Sequence, residues 1–282
     1  MGGTVLATGS HDRTIGLWDV ASGELRQRLR GHTKIVRSLA TDAAGEILIS
    51  GGLDEFILVW DAATGEIRRR LTEHKAHLNL LACWRDGQRA VSLDVNETIS
   101  IWDLHTGRRF HRFTSYRNGV VITFGPDGNL LVCGSQNGTL YLWDISQPAA
   151  PRVQTQLRGH TRRIRNVAFN GDGITVASGD LGGELRLWSI VDGSSRILST
   201  QQPGILDLTF SPDQQYLASA GISGVIDLWE VSSGRRVHSL RGHTNNVMAC
   251  AFSPDGRQLV SCGMDRTVRL WDVARGAPLQ VL

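Results

Sequence analysis

Seven tryptophans stand at near-constant spacing along the 282 residues, and a chain that repeats itself in this way has few folds open to it. Trp18, Trp60, Trp102, Trp143, Trp188, Trp229 and Trp271 are separated by 42, 42, 41, 45, 41 and 42 residues. A period of that size marks supersecondary units that cannot bury their faces alone and do so by stacking on their neighbours. Other features keep the same register. Asp follows five of the tryptophans (Asp19, Asp61, Asp103, Asp144 and Asp272), with Ser189 and Glu230 in the other two places. Fifteen residues before each Trp stands a turn residue: Gly3, Gly45, Gly87, Gly128, Gly173, Gln214 and Gly256. Twenty-eight residues before four of them stands a histidine, namely His32, His74, His160 and His243.

Each unit reads as four short strands. In the last, Val247–Phe252 alternates and runs into the tight turn Ser-Pro-Asp-Gly; further strands are expected at 258–261, 267–271 and 277–282. Short strands with turn residues every few positions are an all-β pattern. One four-stranded sheet cannot bury both faces, whereas sheets stacked radially can. The unit boundaries fall near 3–29, 30–71, 72–113, 114–157, 158–200, 201–240 and 241–282, all within a single domain spanning 1–282.

Gly-His, Ser-Pro-Asp-Gly and Asp-Arg-Thr-Val-Arg-Leu-Trp-Asp in the seventh unit resemble the WD40 repeat, and the resemblance extends over nearly the whole chain. It implies an all-β, seven-bladed β-propeller; the near-consensus repeats are similar to prokaryotic arrays of this family. It further implies that a His, a Ser or Thr, an Asp and the Trp of one blade form a buried hydrogen-bond chain. The second unit supplies His32, Ser50, Asp54 and Trp60, and the seventh His243, Ser261, Asp265 and Trp271. Such a chain satisfies both imidazole nitrogens and the indole N–H away from water. The other units depart. The third has Asn96, and the fifth Gly182, where the acid is expected; the fourth has Ser115, Cys133 and Asn137, and the sixth Gln201 and Ser223. Those blades are expected to rely on packing and to loosen first. Ser, His and Asp could also form a catalytic triad, but two complete copies in one chain point to a structural part.

No metal or cofactor is expected. The four histidines belong to different blades, and Cys83, Cys133, Cys250 and Cys262 form no C-x-x-C pair. A net charge of +3 is too mild to argue for nucleic acid. No apolar run is long enough to span a membrane, and the N-terminus lacks the regions of a signal peptide, so a cytoplasmic protein is expected. There is no P-loop or kinase signature.

The resemblance places the loops that lead into each blade's innermost strand on the top face, ringing a central channel. Here they carry Lys34 and Arg37, Ala76 and His77, Arg117 and Asn118, Arg162, Arg163 and Arg165, Pro203 and Gly204, and Asn245 and Asn246. The sum is basic, with no Asp or Glu among these residues, which suits a partner segment bearing carboxylate or phosphate. The plainer reading is that these are solvated surface arginines. A second basic set (Arg26, Arg28, Arg30; Arg68, Arg69, Arg70; Arg108, Arg109, Arg112; Arg235, Arg236) falls on outer strands, where charge blocks edge-to-edge pairing. Trp84 aligns with Ser253 and Cys83 with Phe252, so either this pair repacks locally, the favoured reading, or Trp84 is a semi-exposed anchor.

Gly3 aligns with the turn between a unit's first two strands, so the first blade is expected to lack its innermost strand, giving 27 strands in all. Leu282 aligns with Leu29, Leu71 and Leu240, where a new inner strand would follow. The open inner edge would accept a strand from another chain or from further repeats or another domain of a longer one. The function expected is a non-catalytic scaffold that binds a protein or peptide partner, acidic in character, on the top face. The alternative is a sensor or autoinhibitory array within a larger signalling protein, an NTPase or a kinase. Propeller hydrolases use a single, non-repeating polar cluster, and none is visible.

Overall fold

The computed structural model describes residues 4–74, 76–84, 86–114 and 119–281. Gly3, Ser115, Arg117, Asn118 and Leu282 therefore lie outside the described residues. The chain divides into two compact units, 1–116 with 144–152, and 117–143 with 153–282.

The first unit carries three sheets. One holds β1 (Val5–Gly9), β2 (Thr14–Asp19) and β3 (Leu25–Arg30). The next holds β4 (Val36–Thr41), β5 (Ile47–Gly52), β6 (Ile57–Asp61) and β7 (Ile67–Leu71), and the third β8 (Leu78–Cys83), β9 (Arg89–Asp94), β10 (Thr98–Asp103) and β11 (Arg109–Thr114). The strands of the fourth sheet are β12 (Gly119–Phe124), β13 (Leu130–Ser135), β14 (Thr139–Asp144) and β15 (Arg152–Arg158). The fifth has β16 (Ile164–Phe169), β17 (Thr175–Asp180), β18 (Leu185–Ser189) and β19 (Ser195–Leu198). The sixth has β20 (Ile205–Phe210), β21 (Tyr216–Gly221), β22 (Val225–Glu230) and β23 (Arg236–Arg241), and the seventh β24 (Val247–Phe252), β25 (Gln258–Gly263), β26 (Val268–Asp272) and β27 (Ala277–Val281). Each sheet is an antiparallel meander in chain order. The fold is an all-β, seven-bladed β-propeller whose first blade has three strands. Trp60 pairs with Ile67 at a bulge between the last two strands of its blade, and Trp18 pairs with Leu25 at the same bulge. The three strands of the first blade thus match the outer three of the others. Among the described residues no helix is long and apolar enough to cross a membrane.

The turn between a blade's first two strands needs a left-handed residue. Gly45, Gly87, Gly128, Gly173 and Gly256 adopt φ of 69°, 68°, 72°, 71° and 71°, and Gln214 takes φ 66° in the same place. Each donates its N–H to the carbonyl three residues earlier, as Gly256 does to Ser253 at 2.9 Å. Gly reaches this conformation without the Cβ penalty that Gln214 pays. At the other end of the meander, Asp61 accepts the N–H groups of Ala63 and Thr64 at 3.0 and 2.9 Å and holds Arg68 through its second oxygen. Asp19 and Asp144 repeat the device with Arg26 and Arg152, and these bonds hold all three carboxyls down at about 2. The Asp that follows Trp is therefore a turn cap.

Alternate residues of each third strand face opposite neighbours, the period-2 rule of a strand. Leu58 and Trp60 pack with Ile15, Leu17 and Leu29 of the first blade, while Ile57 and Val59 pack with Leu78, Leu81 and Trp102 of the third. In the second unit Trp229 packs with Ala177, Leu187 and Leu198, and Trp271 with Ala218, Leu228 and Leu240. Each large indole is a wedge between two sheets.

One further irregularity recurs. The pairing of β4 with β5 skips Arg37, and corresponding bulges skip Asn79, Arg165, Leu206 and Met248. A bulge frees a residue from the ladder and re-aims its side chain. The bulges lie at the end of the inner strand next to the loop that enters the blade. That end, shared with the turns between second and third strands, is called the top edge below.

Candidate functional site

In the second blade the entering loop supplies His32, β5 supplies Ser50, the following turn Asp54, and β6 Trp60. His32 Nε2 lies 2.6 Å from Ser50 Oγ, Trp60 donates its indole N–H to the same Oγ at 2.7 Å, and His32 Nδ1 lies 2.8 Å from Asp54 Oδ2. Ser50 Oγ accepts from the indole, so its own hydrogen goes to Nε2 and leaves Nδ1–H for the carboxylate, the assignment that satisfies every group. The seventh blade has the same geometry: His243 Nε2 is 2.8 Å from Ser261, His243 Nδ1 is 2.9 Å from Asp265, and Trp271 is 2.8 Å from Ser261. Burial would raise the Asp265 carboxyl, but the N–H groups of Thr244 and Thr267 and the imidazole outweigh it and hold it below the usual range.

The remaining blades depart from the expectation in informative ways. In the fifth, the acid is not missing but displaced two residues toward the strand. Asp180, at the end of β17, places Oδ2 3.1 Å from His160 Nδ1, while Oδ1 accepts the N–H groups of Gly182 and Glu184 at 2.8 and 2.9 Å. Ser178 Oγ is 2.6 Å from His160 Nε2 and accepts Trp188 at 2.7 Å, so this blade does not rely on packing alone. In the third, His74 and Trp102 meet Ser92 at 2.7 and 2.8 Å, and Asp94 occupies the displaced position with Oδ2 4.0 Å from His74 Nδ1. The second and seventh blades have Gly52 and Gly263 at that position. A Cβ on Gly52 would lie 1.9 Å from Ile35 O, and one on Gly263 2.7 Å from His243 Nδ1. Either the turn supplies the acid and glycine clears its way, or the strand end supplies it directly. Gly52→Ala is accordingly expected to cost about 2 kcal/mol or more, because backbone must move to admit the methyl; a denaturation midpoint equal to that of the wild type would refute this.

In the sixth blade the polar residue is Gln202, not Gln201. Its Nε2 donates to Asp227 Oδ2 at 3.2 Å and to Ser219 O at 3.3 Å, and Trp229 donates to Ser219 Oγ at 2.9 Å. Ser223 reaches Gln202 Oε1 at 3.4 Å. In the fourth, Cys133 is buried, and Asn137 accepts from Ser135 within its own turn. The first blade keeps one bond, Trp18 to Thr8 at 2.7 Å.

Burial disfavours the charged form of three of these imidazoles. Desolvation, aided by the charges of Arg109 and Arg112, holds His74 down to about 4. It also lowers His32 and His160 against the opposing pull of their carboxylates. His160, Asp180 and Glu184 are the group of potential metal ligands that assembles among the described residues, with ligand atoms within 4.8 Å of one another. Glu184 Oε1 is 3.1 Å from His160 Nδ1 but also 2.5 Å from Arg186 Nε. A cation there would have to displace both the imidazole proton and a guanidinium.

On the outer strands Arg26 pairs with Asp19, Arg28 with Asp12, Arg68 with Asp61 and Arg109 with Glu73, and Arg236 lies 3.6 Å from Asp227, while Arg30, Arg69, Arg70, Arg108, Arg112 and Arg235 are exposed and form no ion pair among the described residues. At the top edge Lys34, Arg37, Arg162 and Arg163 are exposed and form no ion pair among the described residues. Arg165 is half-buried in its bulge and faces Asp207, whose carboxyl burial pushes up to about 6. Asn245 is exposed and Asn246 half-buried. The rim is not free of acid: Glu55, from the turn of the second blade, lies 3.7 Å from His77. Trp84 is buried, with Arg89 above its ring at 5.6 Å, so the Cys83–Trp84 pair repacks locally.

The family model "WD40: WD domain, G-beta repeat" matches residues 2–19, 23–61, 107–144, 151–189, 194–230 and 234–272. Most of the third blade falls outside the matched stretches, although four strands and a buried Trp102 form there. The chain is similar to apoptotic protease-activating factor 1 of Rattus norvegicus, 34% identical over 110 residues that cover 36% of this chain and 8% of that protein. It is similar to human WD repeat and SOCS box-containing protein 1, 33% identical over 111 residues, 38% of this chain and 26% of that protein. It is also similar to the periodic tryptophan protein 2 homolog of Schizosaccharomyces pombe, 26% identical over 123 residues, 43% of this chain and 14% of that protein. In each case the match spans about a quarter or less of the relative's length.

Proposed function

Because this chain belongs to the WD40 repeat family, we propose that it is a non-catalytic scaffold that binds acidic protein segments at the top edge of its blades; the residues concerned are Lys34, Arg37 and His77 in the first unit and, as a separate set, Arg162, Arg163, Arg165, Asn245 and Asn246 in the second. The observation that carries this reading is the set of exposed cations at the top edge that no carboxylate of the chain neutralises among the described residues. Arg26, Arg28, Arg68, Arg109 and Arg152 on the outer strands pair with carboxylates of their own blade, whereas Lys34 and Arg37 in one unit, and Arg162 and Arg163 in the other, stand at the top edge and pair with no carboxylate among the described residues. Unneutralised guanidinium groups are forked donors suited to carboxylate or phosphate.

The Ser–His–Asp sets support the non-catalytic part. Ser50, Ser178 and Ser261 are buried, and each hydroxyl already accepts an indole N–H, so none is placed to attack a substrate.

Fluorescence anisotropy with a labelled Glu-rich peptide tests the reading. Arg162→Gln with Arg163→Gln is expected to weaken binding roughly tenfold and to flatten its salt dependence. Arg68→Gln with Arg152→Gln, which removes outer-strand charges of equal number, should leave binding unchanged. If the outer pair weakens binding as much as the rim pair, the charge of the whole chain is at work and the top edge is not the site.

A further inference from the structure

The turn between the second and third strands places one residue, seven before each Trp, at the tip of the top edge. In the first and fourth blades it is polar, His11 and Gln136; in the second it is the half-buried Leu53 and in the third Val95, 43% exposed. In the fifth, sixth and seventh it is Leu181, Ile222 and Met264, exposed by 39%, 37% and 57%. Met248, freed from the ladder by its bulge, adds a fourth apolar side chain, 41% exposed. Single exposed apolar residues need no explanation, but a run of them along successive blades does.

These positions form one arc with the arginines. The stem of Arg162 packs on the fifth-blade turn, where a Cβ on Gly182 would meet Arg162 Cγ at 2.9 Å. Leu181 donates its N–H to Arg163 O at 3.0 Å. A Cβ on Gly204 would lie 2.5 Å from Ile222 Cδ1 and 3.2 Å from Leu181 O, so Gly204 is the point where the fifth-blade and sixth-blade tips meet. A Cβ on Gly224, in the sixth-blade turn, would lie 3.0 Å from Asn245 O, and Met264 donates to Asn246 O at 2.8 Å. The order along the arc is Arg162 and Arg163, Leu181, Ile222, Asn245 and Asn246, then Met264. The carboxylates beside it face inward, Glu184 onto Arg186 and His160 and Asp265 onto His243. The arc therefore presents the Arg162–Arg163 pair at one end and largely aliphatic and amide surface along the rest, up to the exposed Arg266 in the turn that carries Met264.

Resting on the reading that the top edge is the binding surface, we propose that the second unit selects a bipartite partner: an extended peptide with a cluster of acidic residues that continues into large apolar ones. The acidic cluster lies over Arg162 and Arg163, and the apolar residues cover Leu181, Ile222 and Met264. The apolar stretch is aliphatic and thioether, not aromatic, and so offers a peptide side chain a flexible apolar bed and a nucleic-acid base no ring to stack on. Asn245 and Asn246, between two apolar tips, supply amide groups for an extended backbone.

The test compares two labelled peptides of equal length on the whole chain, one a Glu block in a Gly/Ser sequence, the other the same Glu block followed by Leu and Phe. The bipartite peptide should bind roughly tenfold more tightly. Leu181→Ser, Ile222→Ser and Met264→Ser together should bring it down to the affinity of the acidic peptide while leaving that peptide's binding unchanged. All three side chains are exposed, and circular dichroism with a denaturation midpoint shows whether the variant keeps its fold. If both peptides bind equally and both depend on Arg162 and Arg163, the bipartite proposal fails and the acidic-segment reading stands. If neither depends on those arginines, both fail. A gain for the bipartite peptide that survives the triple serine variant also overturns the proposal, because its apolar half would then sit elsewhere.

Discussion

Replacing Ser178 with alanine is expected to lower stability by about 3 kcal/mol, one of the largest losses available to a change of a single oxygen atom. The side chain is small and the cavity negligible, so the cost comes from what Ser178 Oγ joins. It accepts the Trp188 indole N–H at 2.7 Å and lies 2.6 Å from His160 Nε2, and the serine is fully buried. Alanine strands two polar groups at once, both on buried side chains. Asp180→Ala is expected to cost a similar amount, because it removes the acceptor of two backbone N–H groups and leaves His160 Nδ1 only Glu184, which Arg186 also holds. Gly182→Ala should stay within about 1 kcal/mol, since the tightest contact of its methyl is the movable stem of Arg162 at 2.9 Å, with Asp180 Oδ1 next at 3.3 Å. Chemical denaturation of the three variants decides the matter. A neutral Asp180→Ala, or a Gly182→Ala as damaging as Ser178→Ala, would mean that the fifth blade does not depend on its displaced acid.

The second large effect is a loss of stability in mild acid that His74 brings to the first unit. Burial together with Arg109 and Arg112 holds its imidazole down to about 4, against 6.5 ordinarily. The folded protein keeps the ring neutral while the unfolded chain takes up a proton as soon as pH falls below 6.5. The contribution is therefore complete above 6.5 and drains away as pH falls toward 4, by about 3 kcal/mol for His74. His32 and His160, also lowered by burial, act with the same sign; their neighbours are Asp54 and Arg70 for the first, and Asp180, Glu184 and Arg186 for the second. Asp207 in the second unit works against them, since a carboxyl pushed up to about 6 gains stability as it takes up its proton. The clean readout is thus a difference. His74→Gln, less stable than the wild type at pH 7.5, should show a flatter midpoint between pH 6.5 and 4 and approach the wild type at the acid end. Parallel curves for the two proteins would show that His74 does not titrate in this window.

Most of the fold was legible because the repeat is stated seven times and its strongest signals, the wedge tryptophan and the left-handed turn, sit in the same register. The first blade's three strands followed from where the turn glycines fall. The hydrogen bonds of the second and seventh blades follow the chain that the WD40 resemblance implies, since both blades carry its residue types in its order. Those of the third, fifth and sixth were not legible, because the reading held the acid to a fixed distance from its histidine. A carboxylate reaches the same Nδ1 from the turn or from the strand end, and only the paired absence, no glycine at the strand end and no acid in the turn, distinguishes the two. Asp94 with Asn96 and Asp180 with Gly182 carry that signature. Gln202 was misplaced by one residue because the loop entering the sixth blade lacks the Gly-His that anchors the count elsewhere. The contact of Glu55 with His77 joins two blades, and a reading made unit by unit has no place for it. The pairing of the arginines was out of reach for a similar reason, since which cation meets which carboxylate depends on side-chain direction as well as on strand position.

The bulged residue of the inner strands has a consequence for how such a chain can change over generations. Arg37, Asn79, Arg165, Leu206 and Met248 share one structural address, yet they include cations, an amide and two hydrocarbon-like side chains. The ladder steps over each of them, so the hydrogen-bonded frame sets little condition on their identity. Each blade thus carries a slot whose chemistry can be exchanged almost independently of folding, and several slots together allow many combinations. A lineage could move from one partner to another by rewriting these few letters while the tryptophans, turns and buried serines stay as they are.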